Sequence, residues 1–291
     1  MSTIKDLQPK YIAVCFDKKG PTFRHKKFAD YKATRLRPDK EMLMQIPRIK
    51  QIVKALNMPI FEERGFEADD VIGSLAKQAS DPKLKTKNLK LKKTKKLTNY
   101  QPNDLETIIV TGDQDALQLV NDKVKVYMPP RGRFITAKLY DAKEVIIKFG
   151  LKPKQIVDYK ALVGDSSDNI PGVAGIGPKT AQQLLDRYKT LKNIYKNLAN
   201  LPNKIREKLE QNKETACLSQ ELAQIHYNAP IKLDLLKCLL SDYKKQETIK
   251  LFEELEFKSL IKRLPGHQSV PGKASERPSK IENKDRQMEL F

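Results

Sequence analysis

Eight of the 36 acidic residues in this 291-residue chain fall into four short groups whose positions suggest metal binding. Some follow apolar runs typical of buried strands, and others have the three-residue spacing that puts side chains on one helix face. The groups are Asp17; Glu67, Asp69 and Asp70; Asp113 and Asp115; and Asp165 and Asp168. Carboxylates gathered in one cleft repel each other, so such a cluster predicts bound divalent cations. Oxygen ligands without His or Cys favour Mg²⁺ or Mn²⁺ over zinc.

Each acidic group also has an ordinary structural explanation. Carboxylates in a first helical turn cap free N–H groups and complement the helix dipole, and aspartate is common in turns. Taken singly, each group is better explained in this way. Together they predict a phosphodiesterase, in which two ions about 4 Å apart activate a water and stabilise the attacking and leaving oxygens.

Other enzyme classes lack their characteristic motifs in this sequence. It contains no GxSxG elbow, no Walker A loop and no GxGxxG turn. Acyl hydrolases, P-loop NTPases and dinucleotide enzymes are therefore not indicated.

The glycine-rich segment Gly172–Ala181 is interpreted as the turn of a helix-hairpin-helix. Gly175 and Gly177 would let the backbone approach a phosphate closely, and the following helix would present its first N–H groups there. Lys179 adds charge beside Thr180. Such a turn grips the sugar-phosphate backbone without reading bases. The alternative is an ordinary glycine-containing connection between helices.

A basic stretch with interleaved aromatic residues follows Asp17. Arg24, Lys32 and Arg35 could steady the scissile phosphate and its developing charge. Tyr31 could stack on a base. The alternative is a solvated basic loop, but proximity to a candidate metal ligand favours the functional interpretation.

Composition supports a polyanionic partner. The formal net charge is +20 and the pI is near 9.6, which favours nucleic acid. A membrane surface is not indicated, since we find no basic amphipathic helix with a strong apolar face and no apolar run of spanning length. Cys15, Cys217 and Cys238 form no CxxC pair. This argues against a zinc site or a disulfide framework and predicts the reducing cytoplasm.

Apolar runs and helical spacing predict the elements that must position these residues. Strands are expected at residues 10–17 and 105–113, with a third, on an edge, at 124–127. Helices are expected after Pro47 and over residues 67–79.

The order of these elements predicts an α/β fold with a C-terminal helical subdomain. Residues 1–155 should form a mostly parallel sheet flanked by helices, and residues 156–264 a helical unit containing the hairpin. A Lys-rich insertion near residues 81–104 is expected to be flexible; it could hold DNA or be a solvated loop. Residues 265–291 have the composition of a linker or tail.

Six segments resemble, in order, the 5′-nuclease family, which includes the flap endonucleases and the N-terminal domain of bacterial DNA polymerase I. They are Phe16–His25, Tyr31–Arg35, Gly65–Val71, Thr111–Leu117, Leu162–Gly172 and Gly175–Ala181. The resemblance covers about residues 8–264. It implies a PIN-like core and two-metal cleavage of 5′ flaps and 5′ ends of duplex DNA.

The resemblance also implies roles for individual residues. All eight acidic residues named above match metal ligands of the family. Lys32 and Arg35 match basic residues of its helical arch, near the scissile phosphate, and are the candidate catalytic side chains. The hairpin matches a duplex-binding element that in relatives also holds a monovalent cation, so K⁺ is a further candidate ligand.

The sequence departs from the family at its start. The family opens with a strand ending in Asp-Gly and a helix, whereas Met1 stands only a few residues before the strand at 10–17. The first strand and one metal ligand are expected to be missing, and activity of the short form to be weak or absent. A DNA-binding module without activity is therefore the alternative function. An RNA nuclease of the PIN type is another, and the hairpin argues against it.

The C-terminal residues resemble the peptide by which bacterial replication proteins dock on the sliding clamp. Met288, Leu290 and Phe291 would fill an apolar pocket while Gln287 hydrogen-bonds at its rim. The alternative is a frayed terminus. The sequence as a whole predicts a monomeric, metal-dependent 5′-3′ exonuclease or flap endonuclease acting on DNA in replication and repair.

Overall fold

The computed structural model describes residues 2–36, 38–81, 105–132, 135–240 and 243–264. Most of the Lys-rich insertion and the whole tail lie outside these ranges. The predicted clamp-binding residues Gln287, Met288, Leu290 and Phe291 are among those not described.

Helices provide most of the regular structure, and they dominate the second half of the chain as predicted. In chain order they are α1 (Ser2–Leu7), α2 (Phe23–Lys27), α3 (Lys40–Ala55), α4 (Ala68–Ser80), α5 (Ala142–Phe149), α6 (Ile156–Val163), α7 (Pro178–Tyr188), α8 (Leu191–Lys196), α9 (Asn203–Gln211), α10 (Lys213–Ala223), α11 (Lys245–Glu254) and α12 (Lys258–Ile261). Short 3₁₀ segments occur at Gln114–Leu119, Pro153–Gln155 and Leu198–Asn200.

The strands of the described residues form two separate small sheets. They are β1 (Val14–Cys15), β2 (Ile60–Phe61), β3 (Thr107–Val110), β4 (Val124–Met128) and β5 (Lys138–Tyr140). β1 pairs with β2 and β3 pairs with β4, both in parallel, while β5 joins β4 antiparallel. The predicted mixed fold with mostly parallel pairing is confirmed. The expected edge position of the third strand is wrong, because β4 lies between β3 and β5.

Helix α4 connects the two sheets, since it packs against both β1 and β3. Its apolar positions recur every four residues, and Val71, Leu75 and Ala79 are buried against Leu233 and Cys238. Burial of a Val or Leu side chain contributes about 1.5–3 kcal/mol. This packing fixes the N-terminal end of α4, where three of the predicted ligands lie. Helix α3 is longer than predicted, because it begins before Pro47 and includes it.

The helical region has its own core, which includes Leu162, Leu185, Ile194 and Leu209. The chain then returns to the first region. Gln78 of α4 accepts a hydrogen bond from the backbone N–H of Leu233, and the Thr248 hydroxyl donates to the Ala55 carbonyl. The predicted boundaries at residues 155 and 264 stay a prediction, but the last part of the predicted helical unit contacts α3 and α4. No described helix combines the length and apolarity needed to cross a bilayer.

Candidate metal and nucleic-acid site

Carboxylates at the beginning of α4 form the first part of the site. Asp17 follows β1, and its Oδ1 accepts a hydrogen bond of 2.8 Å from the backbone N–H of Ala68. Glu67 is the N-cap residue of the same helix. Negative charge is favourable at a helix N-terminus, and ligand sites of α/β proteins lie beyond the carboxyl ends of strands. The fold thus brings Asp17 next to the Glu67–Asp70 group.

Asp70 lies deeper and pairs with Arg24. The carboxylate is 0 % exposed, and Arg24 is 3 % exposed. The guanidinium donates to both Asp70 oxygens, at 2.7 and 2.9 Å, and to the carbonyls of Leu222 and Gln224, at 2.9 and 2.7 Å. Burial alone would raise the pKa of Asp70, but the hydrogen bonds from Arg24 reverse this and lower it.

This geometry does not agree with two roles expected from the sequence, which are DNA contact by Arg24 and metal ligation by Asp70. Arg24 directs its N–H groups at protein acceptors and has almost no exposed surface for a DNA phosphate. The carboxylate oxygens of Asp70 accept hydrogen bonds from Arg24 and from the backbone N–H groups of Glu67 and His226. The physical reason is that a buried charge is stable only when it is paired and hydrogen-bonded.

Basic and aromatic residues of the segment after α2 face Glu67 and Asp168. Lys32 donates to Glu67 at 2.9 Å and lies 3.8 Å from Asp168. Arg35 is hydrogen-bonded to Asp168. Tyr31 is 3 % exposed, and its hydroxyl donates to Glu67 at 3.3 Å and to Asp168 at 3.2 Å. Lys32 and Arg35 thus pair with candidate ligands, and their contact with the scissile phosphate stays a prediction. The buried Tyr31 ring has no open face for stacking on a base.

The second sheet carries Asp113 and Asp115 just after β3. Asp113 is the N-cap residue of the 3₁₀ segment Gln114–Leu119 and accepts from the Asp115 N–H at 2.9 Å. Asp115 and Asp165 are both bonded to the ammonium of Lys160, which lies 2.5 Å from Asp165. Asp165 also accepts from the Ser167 N–H and hydroxyl.

Asp69 joins the two halves of the site electrostatically. Its pKa is raised to about 7, first by burial and then by the negative charges of Asp113 and Glu67, with a further contribution from Asp115. Burial also raises the pKa of Asp115, where Asp113 and Asp165 act in the same direction and Lys160 opposes them. Carboxylates from separate segments therefore lie near enough to perturb each other.

The donor set fits a hard divalent cation by its chemistry. All donors are carboxylate oxygens, and burial together with the neighbouring carboxylates raises the pKa of Asp69, as expected where negative charges are crowded in a partly buried site. Within the described part of the chain, however, no three His, Cys, Asp or Glu side chains are grouped closely enough to ligate one ion as they stand. In this arrangement Lys32, Arg35 and Lys160 pair with carboxylates of the site.

The predicted hairpin forms the turn before α7. Gly172 and Gly175 have φ values of +68° and +77°, a conformation that favours glycine. Gly177 is the N-cap residue of α7. Gly175, Gly177 and Lys179 are exposed and Thr180 is partly exposed. The first N–H groups of α7, which have no intrahelical acceptors, thus lie beside these residues.

Sequence reasoning missed three cationic residues at these sites. Lys160 bridges Asp115 and Asp165. Arg131 donates to the Gly112 carbonyl at 2.9 Å and lines the cleft beside Asp113. Lys208 donates to the Gly175 carbonyl at 2.9 Å and so lies at the hairpin. Nothing distinguishes these residues among the 56 lysines and arginines of the chain, because their partners are set by tertiary structure.

Comparison with known proteins identifies relatives for most of the chain. Residues 1–89 match the family model described as 5′-3′ exonuclease, N-terminal resolvase-like domain, and residues 151–246 match 5′-3′ exonuclease, C-terminal SAM fold. DNA polymerase I of Caldicellulosiruptor bescii is 41 % identical over 258 residues, and that of Bacillus subtilis 34 % over 265. These matches cover 88 % and 91 % of this chain but 28 % of each polymerase.

A solved structure shares the fold. The 5′-exonuclease of T5, in a structure with bound zinc ions, superposes with a TM-score of 0.59 at 22 % identity and 87 % coverage of both chains. The two family models and the polymerase relatives agree with each other along the sequence. The chain belongs to the 5′-3′ exonuclease family.

Proposed function

We propose that this chain hydrolyses phosphodiester bonds at 5′ ends or flaps of DNA, using divalent ions held by its carboxylate cluster. The proposal is supported by contacts that link acids of four segments. Asp17 bonds to the start of α4, Lys32 lies between Glu67 and Asp168, Lys160 joins Asp115 to Asp165, and the charge of Asp113 acts on Asp69. Family membership supports it. DNA is the expected substrate because the chain carries a formal charge of +20 and a hairpin suited to phosphate.

The acids have unequal roles in this proposal. The residues that would hold Mg²⁺ or Mn²⁺, as two ions, are Asp17, Glu67, Asp69, Asp113, Asp115, Asp165 and Asp168. When bound, the ions would polarise a water and the scissile phosphate. Asp70 is a positioning residue, since it is wholly buried and its bonds to Arg24 and to the Glu67 N–H fix the start of α4.

Lys32 and Arg35 are the candidate residues for binding the scissile phosphate. Arg35 is about half exposed and Lys32 partly exposed, so each can leave its carboxylate for a phosphate oxygen. Ions held by Glu67 and Asp168 would neutralise these carboxylates, and Lys32 and Arg35 would then be available to bind a phosphate. The negative charge of Glu67 and Asp168 would thus be neutralised by Lys32 and Arg35 without ions, and by the ions when they are bound.

The hairpin is proposed to hold the duplex beside the cleavage site. The N-terminal N–H groups of α7, together with Gly175, Gly177, Lys179 and Thr180, would contact the sugar-phosphate backbone. A K⁺ ion at this turn belongs to the same proposal.

Cellular context completes the proposal. We expect a monomer in the cytoplasm, in keeping with three unpaired thiols at Cys15, Cys217 and Cys238. Docking of Gln287–Phe291 on the sliding clamp would bring the nuclease to replication and repair sites.

Cleavage of a labelled 5′-flap duplex with and without Mg²⁺ tests the proposal. We expect Mg²⁺-dependent cleavage by the wild type, and Asp113→Ala should abolish cleavage while duplex binding persists. Asp122→Ala, an exposed aspartate in the nearby turn before β4, is the matched control and should cleave normally. Duplex binding without cleavage by the wild type would support the impaired DNA-binding module instead. Preference for single-stranded RNA would indicate the PIN-type alternative.

A further inference from the structure

Lys160 occupies an unusual position for a lysine. It lies on α6, its side chain is 16 % exposed, and its ammonium bonds to Asp115 and Asp165. These carboxylates come from different parts of the fold, one after β3 and the other after α6. A single ammonium thus connects the strand-borne and helix-borne halves of the site.

The ammonium provides one positive charge at the oxygens that a divalent ion would require. A lysine is stable at such a buried position only if its charge is compensated, and here two carboxylates compensate it. An ion bound to the same oxygens would be repelled by the ammonium at contact distance. The ammonium and an ion therefore exclude each other at these two carboxylates.

The structure also offers a place for the displaced side chain. Lys160 borders a cleft lined by Gly112, Gln114, Arg131 and Ser166. Lysine has four rotatable side-chain bonds and is strongly hydrated. It can therefore move its ammonium into the open cleft without disturbing α6.

We propose that Lys160 is an internal counter-ion that competes with a divalent cation for Asp115 and Asp165 and thereby weakens ion binding at this end of the cluster. The inference rests on the proposed metal site and adds the residue that regulates its occupancy. In the absence of ions Lys160 neutralises the two acids and joins the two parts of the fold. A bound ion would displace the Lys160 ammonium into the adjacent open cleft.

Mn²⁺ binding to the complete chain tests the competition directly. We compare the wild type with Lys160→Met, which keeps most of the length of the side chain and removes its charge. By electron paramagnetic resonance and calorimetry, Lys160→Met should bind its weaker Mn²⁺ ion about tenfold more tightly, a change of about 1.4 kcal/mol. Its melting temperature should be lower than that of the wild type without Mn²⁺ and should rise more when Mn²⁺ is added.

Two further variants serve as controls. Lys160→Arg keeps the charge and should bind Mn²⁺ as the wild type does. Lys154→Met removes an exposed lysine just before α6 and should change neither affinity nor melting temperature. Equal or weaker Mn²⁺ binding by Lys160→Met, with normal binding by the wild type, would overturn the counter-ion role while leaving the metal site intact. Failure of all variants to bind Mn²⁺ would instead reject the proposed function.

A measurement on the wild type covers the case in which Lys160→Met does not fold. Lysines are acetylated briefly with and without Mg²⁺, and the modified peptides are quantified by mass spectrometry. Lys160 should be protected without Mg²⁺ and become several times more reactive with it, relative to Lys154 in the same sample. Unchanged or reduced labelling of Lys160 under Mg²⁺ would contradict its displacement.

Discussion

Replacing Arg24 by methionine tests whether this residue is structural, as its burial indicates, or contacts DNA, as the sequence suggested. Methionine keeps much of the apolar volume and removes the guanidinium. The change strands the Asp70 carboxylate, which is 0 % exposed, and removes the donor to two backbone carbonyls at the end of α10. Breaking a buried pair from one side costs about 3–5 kcal/mol. Domains of this kind have about 5–15 kcal/mol in total, so Arg24→Met should fold but be marginally stable.

The size of the effect should depend on pH in a defined direction. In the wild type the folded-state pKa of Asp70 is below its unfolded value of 3.8. The pair therefore contributes its full stability above that value and loses it as the pH falls through the folded pKa. Without Arg24, burial raises the pKa of Asp70, so the variant instead loses stability as the pH rises. The difference between the two proteins should be largest near pH 7.5 and shrink toward pH 4.

Urea unfolding followed by circular dichroism at pH 7.5 and pH 4 measures this difference. The double variant Arg24→Met/Asp70→Asn should recover part of the lost stability, because it no longer buries an unpaired charge and keeps an acceptor for the backbone N–H groups at Asp70. Arg64→Met, at an exposed turn position, should stay within about 0.5 kcal/mol of the wild type. If Arg24→Met unfolds within about 1 kcal/mol of the wild type at pH 7.5 but no longer binds DNA, the structural role is refuted.

Three other predictions concern the acidic cluster, the hairpin and the tail. The pKa of Asp69 is raised to about 7, so the metal-free protein should lose stability as the pH rises from 3.8 to about 7. Urea titrations across this range should show that Asp69→Asn lacks this decline. If its stability instead falls with pH in parallel with the wild type, the raised pKa of Asp69 is contradicted. Lys179→Glu should weaken binding to all duplex sequences alike and reduce the slope of log K against log salt by about 1 or more. Lys192→Glu, on α8, is its charge-matched control, and equal losses in both variants would argue against a specific hairpin contact. Removing Gln287–Phe291 should abolish pull-down by the sliding clamp and leave flap cleavage unchanged, and persistent pull-down would place the contact elsewhere.

The presence of β1, β3 and α4 was predictable because local pattern determines it, although both strands are shorter than expected and α3 begins earlier. The apolar runs before Asp17 and Asp113 do contain strands, and each acid follows its strand by two or three residues. The spacing of Glu67 and Asp70 correctly predicted the start of α4. Even so, the three-residue spacing did not reveal that the two side chains are buried to different extents, because α4 turns Asp70 inward and leaves Glu67 partly exposed.

Long-range partners account for what the sequence did not reveal. The partners of Arg24 lie 46, 198 and 200 positions away in the sequence. Its sequence neighbours alone therefore do not distinguish it from an exposed arginine. The strand β4 was expected at a sheet edge, but β5, a short and mostly exposed strand, pairs with its second side. Lys160 likewise acquires its role only when Asp115 is brought to it from 45 residues away.

The division of the strands into two sheets makes α4 the spacer of the site. Strands within one sheet are held together by backbone hydrogen bonds, whereas these two sheets are connected through side chains packed on α4. At Gly73 of α4 an added methyl group would meet Ile225 at 2.8 Å and Leu119 at 3.5 Å. One extra carbon at Gly73 would therefore shift the helix and, with it, the distance between Asp69 and Asp113. The position of the acidic start of α4 therefore depends in part on steric contact at a residue that carries no charge.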